Sequence, residues 1–512
     1  EQFFNSDEDF IELYLKEKCK LSSNKIDALR ERKFIIILDG YYEIIERERH
    51  CYIQNKFCEW KNAKIIISCR TEYLGKGYQK RFFPKNGEKG FQELKIKAFS
   101  EKEVNQYIIK YVQEKGHLLN LSKNICLQQI KKIPEELVSN PFLLKITLSA
   151  LPRFIEQEKT TRISRIDLYN EFLKSWFDRA QERLRKIQLT DEERSKFRNL
   201  DDDDFSESCL QFSKNFAIEM FIDDNKVVIT RDANWKKFLS NEDIGNSLLR
   251  FSIPLIRHEN QYWFIHKTLR DYLIALALLE SCEAASNIEL FNKQSFVSEH
   301  GVRQFLAEHI SQKTETFKPQ LLAFIEASKE NEVQIASANA ITILTQVGVL
   351  LKNLNGCNIS GADLSNGKFN NLQAVKAKLN NVNFENIELK NANLQDSFLQ
   401  GANFQNAELQ DANLQNSFLQ NAYFKDTDLS FADIQNTILQ DVQFTNVKFK
   451  HAMLQKANLQ GSSLQNAYFE DAVLSSVNIQ NTNLYNVNFE NAKFQNANLQ
   501  NVTFWNAELR NT

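Results

Sequence analysis

Two apolar runs near the start of the chain end in residues suited to phosphate chemistry. The segment "FIIILDGYYEI" (34–44) stops abruptly at Asp39 and Gly40. In an open α/β sheet the carboxyl ends of the strands line the ligand crevice. An Asp there holds Mg²⁺, directly or through water, while a second acid orients an attacking water. Asp39 suits the first role and Glu43 the second. "KIIISCRTEYL" (64–74) carries Arg70 just past its run, where a guanidinium reaches a terminal phosphate or a carboxylate. The plainer alternatives are an ordinary Asp-Gly turn and a surface ion pair. Two further residues fall in the helical part of the chain. Pro141 in "ELVSNPFLLKITLSALP" follows Asn140, and Pro fits the first helical position after such a cap. His266 in "FIHKTLRDYLIALALL" reads by itself as a histidine on a helix face satisfied by a local carbonyl.

The elements that position these residues change character along the chain. "DEDFIELYLKEK" reads as an amphipathic helix. The runs ending at Asp39 and Arg70 read as buried strands. "FQELKIKAF" reads as a third, alternating strand, and "SEKEVNQYIIKYV" as a helix with a capping box from Ser100 and Glu103. Continuous β-branched runs separated by helices predict a parallel sheet covered on both faces. From about 120 to 350 the pattern is almost wholly helical, apart from a β-like piece at "NQYWFIH".

After that the period changes to five. Every fifth residue from Leu354 to Leu509 is Leu, Ile or Phe, with one lapse at Ala374, and a small or β-branched residue usually stands two before it. Helices repeat at 3.6 residues and strands at 2, so neither explains this beat. A chain that turns inward every five residues is a coil with flat sides. Phe384, Phe404, Phe424 and Phe444 are 20 apart, as are Phe449, Phe469 and Phe489. Rings that match at 20 predict four sides per coil, with successive coils stacked. At about 4.8 Å per stacked strand, eight coils make a rod of roughly 40 Å. Stacking supplies its stability, since one coil cannot bury a core. "ANAITILTQVGVLLKNL" is expected to cap the first coil.

Segments such as "NANLQ", "GANFQ" and "DANLQ" resemble the A(D/N)LXX signature of pentapeptide-repeat proteins, over 352–512. The resemblance implies a right-handed quadrilateral β-helix that binds protein partners. Residues 1–285 resemble a NACHT-type signal-transduction NTPase (the STAND class). The runs at 34–44 and 64–74 are similar to its Walker B and sensor-1 strands. Pro141 looks like the proline that packs on adenine, and His266 like the winged-helix histidine that contacts the β-phosphate of ADP. The resemblance implies ATP/ADP and Mg²⁺ as cofactors, with Asp39 on the metal and Glu43 and Arg70 in catalysis. It also implies a winged helix and nucleotide-driven homo-oligomerisation. Two departures stand out. Tyr42 replaces an acid of the family, which bears on ATPase activity more than on binding. No G-x-x-x-x-G-K-[ST] string occurs. The chain begins at Glu1 rather than Met, as a fragment would. By itself it is expected to bind nucleotide poorly, without the phosphate-binding loop.

The expected organisation is a partial α/β nucleotide-binding domain (1–115), a helical lid (116–190), a winged-helix-like domain (191–285), a helical linker and cap (286–350) and the β-helix (351–512). Lys and Arg total 64 against 66 Asp and Glu, which gives no global electrostatic case for nucleic acid or membrane. The β-helix, with 14 acids and 10 bases over 353–512, is only mildly acidic. A DNA-mimicking topoisomerase inhibitor, the third possibility after a switch and a degenerate-NTPase scaffold, would need denser charge. The Asp201–Asp204 run is expected to be a solvated loop. Eight scattered cysteines without C-x-x-C pairs predict reduced thiols and a cytoplasmic location.

Overall fold

The computed structural model describes residues 9–38, 51–69, 82, 92–119, 121–156, 163–202, 204–223, 228–229, 235–240, 243–258, 261–283 and 288–512. The chain divides into two compact units, Glu1–Ala98 and Phe99–Thr512.

In the first unit, helices α1 (Phe10–Glu17) and α2 (Ser23–Arg30) precede strands β1 (Ile35–Leu38) and β2 (Lys64–Ile67), which pair in parallel. Asp9 caps α1, its carboxylate accepting from the N–H of Ile11 and Glu12 at 3.0 Å. The alternation of β1 and β2 buries only one face: Ile36, Leu38, Ile65 and Ile67 pack against a core of Phe10, Phe57 and Trp60. Ile35, Ile37 and Ile66 on the other face are 66%, 65% and 54% exposed. The expected two-sided cover is therefore missing among the described residues. The expected third strand also fails to form. Residues 92–99 take no regular secondary structure, and Leu94 and Ile96 lie in solvent. Alternation alone does not make a strand where no edge accepts its hydrogen bonds.

The second unit opens with helices α3 (Glu101–Leu119), α4 (Lys123–Ile130), α5 (Pro141–Glu156), α6 (Arg165–Lys186), α7 (Asp191–Asp202) and α8 (Phe205–Ile222). The capping box at Ser100 forms as its sequence implies: Glu103 accepts from the Ser100 N–H at 2.8 Å. A second one forms at Ser164 and Asp167. Asp204 ends the acidic run as the N-cap of α8, accepting from Ser206 and Glu207 N–H. Strand β3 (Val228–Ile229) is followed by α9 (Ile244–Ser252), β4 (Leu255–His258) and β5 (Gln261–Phe264), and the three strands form an antiparallel sheet in the order β3-β5-β4. Helices α10 (Lys267–Glu283), α11 (Ile288–Lys293), α12 (His300–Gln312), α13 (Thr314–Ala327) and α14 (Gln334–Gln346) complete the helical part. No helix among the described residues is long and apolar enough to cross a membrane.

From residue 353 the chain is a parallel β-solenoid. Each bridge links residue i to i+20, from Asn353↔Gln373 to Asn488↔Glu508, so four five-residue sides make one coil. Each coil bonds to the next, as in Phe384 N–H to Asn403 carbonyl at 2.7 Å. Longer pairings appear on one side as β6 (Tyr423–Lys425), β7 (Gln443–Thr445), β8 (Ser463–Gln465), β9 (Asn483–Tyr485) and β10 (Thr503–Trp505). The corner residue after each bend adopts positive φ, mostly at Asn or Asp, which tolerate that region through their short polar side chains. Phe384, Phe404, Phe424 and Phe444 stack with centroid separations of 4.8, 4.7 and 5.1 Å, and Phe449, Phe469 and Phe489 at 4.5 and 5.0 Å. Buried hydroxyls at the small inner positions bond to carbonyls, as Thr427 does to Phe404 at 2.7 Å. The lapse at Ala374 is offset two residues earlier, where buried Leu372 stands in place of the usual small residue. Large and small exchange places and the volume is kept.

Helix α14 and the end of α13 close the first coil. Its free backbone groups find side-chain partners: Asn358 N–H donates to Ser328 Oγ at 3.0 Å, Asp363 N–H to Thr342 Oγ1 at 3.0 Å, and Gln334 Nε2 to the Ser360 carbonyl at 3.1 Å. A continuous hydrophobic core runs from Val104 in α3 to Ala492 in the solenoid.

Candidate functional site

Asp39, Glu43 and Arg70 lie outside the described residues. Pro141 and His266 lie within them, and the structure brings their neighbourhoods together. Asn140 caps α5, its Oδ1 accepting from Phe142 N–H at 2.9 Å and Leu143 N–H at 3.2 Å. Pro141 takes the first helical position, where its missing N–H costs nothing, and is exposed. The cap turns Phe142 toward the start of α10. Its ring lies flat on His266, with centroids 3.6 Å apart and planes 10° from parallel.

His266 itself starts α10. Its Nδ1 accepts from the Thr268 N–H at 3.2 Å and lies 2.7 Å from Thr268 Oγ1. With Nδ1 accepting, a neutral ring carries its proton on Nε2. Thr268 Oγ1 in turn bonds to the Tyr169 hydroxyl of α6. Burial pushes the Tyr169 phenol well above its usual range, as it does that of Tyr272, whose hydroxyl donates to Asn170 at 2.7 Å. Three segments thus meet: the starts of α5 and α10 and the second turn of α6. Phe142, Thr268 and Tyr169 are the members that sequence reading missed. Only the neighbouring motif residues pointed to the place.

The first turns of α10 continue into a buried charge cluster. Asp271 is fully buried, and Arg270 reaches its Oδ1 at 3.2 Å and Glu299 at 3.2 Å. Burial raises the Asp271 carboxyl above its ordinary value, against the pull of Arg270. Gly301, in the first turn of α12, presses on this carboxylate so closely that a Cβ would sit 2.2 Å from Oδ2. Two residues on, Arg303 donates to Asp363 of the first solenoid coil at 2.7 Å. Burial would raise the Asp363 carboxyl, but Arg303 and Ser365 outweigh it and hold the carboxyl below its usual range. His266 and the solenoid are therefore joined by packed helices and ion pairs. Among the described residues no group of three or more His, Cys, Asp or Glu is placed to hold a metal.

A search of known families matches the solenoid: the model described as "Pentapeptide repeats" fits in 8 copies between residues 353 and 512. Residues 353–512 are a pentapeptide-repeat domain, attached to a helical region. Solved structures similar to it include QnrB1, a plasmid-mediated fluoroquinolone resistance protein. It is 21% identical over 28% of this chain and 76% of that chain, with a TM-score of 0.21. HetL from the cyanobacterium Nostoc sp. strain PCC 7120, involved in heterocyst differentiation regulation, is 24% identical over 31% of this chain and 82% of its own, with a TM-score of 0.14. Rfr23 from the cyanobacterium Cyanothece 51142 is 24% identical over 27% and 90%, with a TM-score of 0.12. No curated protein matches the chain.

Proposed function

We propose that the chain is the nucleotide-responsive and partner-binding part of a signalling switch, in which the helical region answers to ATP or ADP and the solenoid is a protein-binding arm. The single observation that carries this reading is the stack of Phe142 on His266. Pro141 and His266 are the two described residues that the NTPase resemblance assigns to one nucleotide. They belong to segments far apart in sequence, and Phe142, next to Pro141, lies on His266. His266, its Nδ1 engaged by Thr268, is the proposed phosphate contact, and exposed Pro141 offers an apolar surface to a purine. These residues fit the lid side of a bound nucleotide. The phosphate cradle does not fit, because no G-x-x-x-x-G-K-[ST] string is present. Asp39 on Mg²⁺, with Glu43 and Arg70 at the terminal phosphate, remain the proposed polar partners. Their chemistry would neutralise phosphate charge and orient water. The sheet face bared at Ile35, Ile37 and Ile66 is what a wider α/β core would cover. The small antiparallel sheet beside α9 and α10 supports the winged-helix reading. Release of His266 would act through α10 and α12 on the arm and favour self-association, in the cytoplasm.

The test is calorimetric titration of ADP into this chain and, where the gene encodes residues ahead of Glu1, into that longer chain. Weak or no binding is expected for the first and clear binding for the second, reduced at least tenfold by His266→Ala. Absence of binding in both removes the switch.

One observation favours a second reading, a scaffold with a degenerate NTPase core. Tyr42 stands where the NTPase resemblance has an acid. On that reading Asp39→Ala leaves partner binding by the intact chain unchanged. Loss of partner binding in Asp39→Ala would rule it out. A topoisomerase-directed DNA mimic is the weakest alternative, and a gyrase inhibition assay with the chain is expected to show none.

A further inference from the structure

The corners of the solenoid are almost all Asn, Asp, Gly, Ser or Lys, as their positive φ demands. Phe431 is the aromatic exception, at φ 60°, followed one coil later by His451 at φ 56°. A bulky residue in the left-handed region is strained, and such strain persists where something else depends on it. On the neighbouring corner, Asn residues form a ladder from coil to coil, as Asn406 does with Asn386 at 2.9 Å and Asn386 with Asn366 at 3.1 Å. Phe431 has no side-chain amide to join such a ladder on its own corner. What it gains is a stack on His451, with centroids 4.8 Å apart and planes 24° from parallel, while remaining 53% exposed. Carboxylates bound this aromatic pair along the corner column. Asp411 stands one coil before Phe431, and Asp471, one coil after His451, lies 3.7 Å from its Nδ1. The nearby lysines are already engaged: Lys448 pairs with Asp428 at 3.8 Å and Lys450 with Glu470 at 3.2 Å. Among the described residues no ion pair involves Asp411.

We infer that the column Asp411–Phe431–His451–Asp471 is a docking surface for an arginine-bearing basic segment of a protein partner. An exposed aromatic face attracts a cation, and the planar guanidinium both stacks on it and forks to a carboxylate. A carboxylate one coil from the ring supplies the second contact. Tyr468, 46% exposed on the adjoining side, adds aromatic surface near the Asp471 end. This assignment rests on the reading of the solenoid as a binding arm and names the partner chemistry. It is independent of the nucleotide proposal.

The experiment titrates a fluorescent peptide of alternating Arg and Gly into the intact chain at physiological ionic strength, with Lys-Gly and Glu-Gly peptides alongside. The substitution Phe431→Asn restores the residue the corner prefers, so its unfolding temperature should equal or exceed that of the unaltered chain. Removing one cation–aromatic contact should weaken the Arg peptide by about tenfold. Asp411→Asn should also weaken it, and the Lys peptide should bind less tightly than the Arg peptide. No binding of the Arg peptide, an affinity indifferent to Phe431→Asn, or equal binding of the Glu peptide overturns the inference. None of these outcomes bears on ADP binding. A partner captured by the arm and insensitive to Phe431→Asn would leave the arm reading intact while removing this surface.

Discussion

Gly301 and His266 show how single residues in the helical part are constrained by neighbours far away in sequence. Gly301 has no Cβ because the Asp271 carboxylate occupies that space. Asp271 is fully buried and tied to Arg270, so it cannot move aside without breaking an ion pair. Gly301→Ala is therefore expected to cost about 1–3 kcal/mol, as overpacking of a closed site does. Urea unfolding measures this, and a cost near zero would mean that the carboxylate shifts freely. Gly348, at φ +75° with open space around it, supplies the contrast: Ala there meets no clash, only the left-handed backbone cost of about 1 kcal/mol. For the candidate site, the sequence identified Pro141 and His266 but not the contact between their surroundings. Phe142 reads as an ordinary apolar residue of a helix start, and only the folded chain lays it on the imidazole. Asp39, Glu43 and Arg70 were legible as motif residues and fall outside the described part.

At the level of elements, the solenoid was the most legible. Its period is set by covalent repetition, so inward residues, small inner residues and corners each leave a mark every fifth position. The ring columns followed from the 20-residue spacing alone. The swap of volume between Leu372 and Ala374 did not, since the five-residue beat marks Ala374 only as a lapse. The piece at 92–99 shows the opposite case: its alternation is strand-like, yet hydrogen-bond partners are supplied by other segments and cannot be read locally. The Phe column also makes a prediction. Phe404 is fully buried between Phe384 and Phe424. Phe404→Ala leaves a cavity that stacked coils cannot collapse, and should destabilise by about 3–5 kcal/mol. Phe504, at the end of the same column, is 42% exposed, and the same change there should cost well under half as much. Equal costs in urea unfolding of the two variants would contradict the stacked-coil account.

For the whole molecule, the question is whether the helical part and the solenoid behave as one body. The hydrophobic core is continuous across the junction, and α14 satisfies the backbone of the first coil. The junction also carries the largely buried pair Arg303–Asp363. Asp363 has its carboxyl lowered below the reference value of 3.8. A carboxyl with a depressed folded pKa contributes stability that is present above the unfolded value and lost as pH falls through the folded value. Asp271 acts in the opposite sense, since its raised carboxyl favours the folded state as it becomes protonated. At neutral pH one cooperative transition is expected for Phe99–Thr512. From about pH 4 downward the Asp363 contribution is progressively lost, and the helical part should unfold ahead of the solenoid, whose coils hold each other. Arg303→Ala leaves a buried carboxylate unpaired and should cost on the order of 3 kcal/mol at neutral pH, splitting the transition there without acid. Asp363→Asn should remove the acid-dependent part of the separation while Arg303 is retained. Thermal unfolding, followed by far-ultraviolet dichroism at helix and strand wavelengths across pH, distinguishes these cases. Coincident curves for Arg303→Ala at pH 7 would show that the shared apolar core alone makes the two parts one cooperative unit.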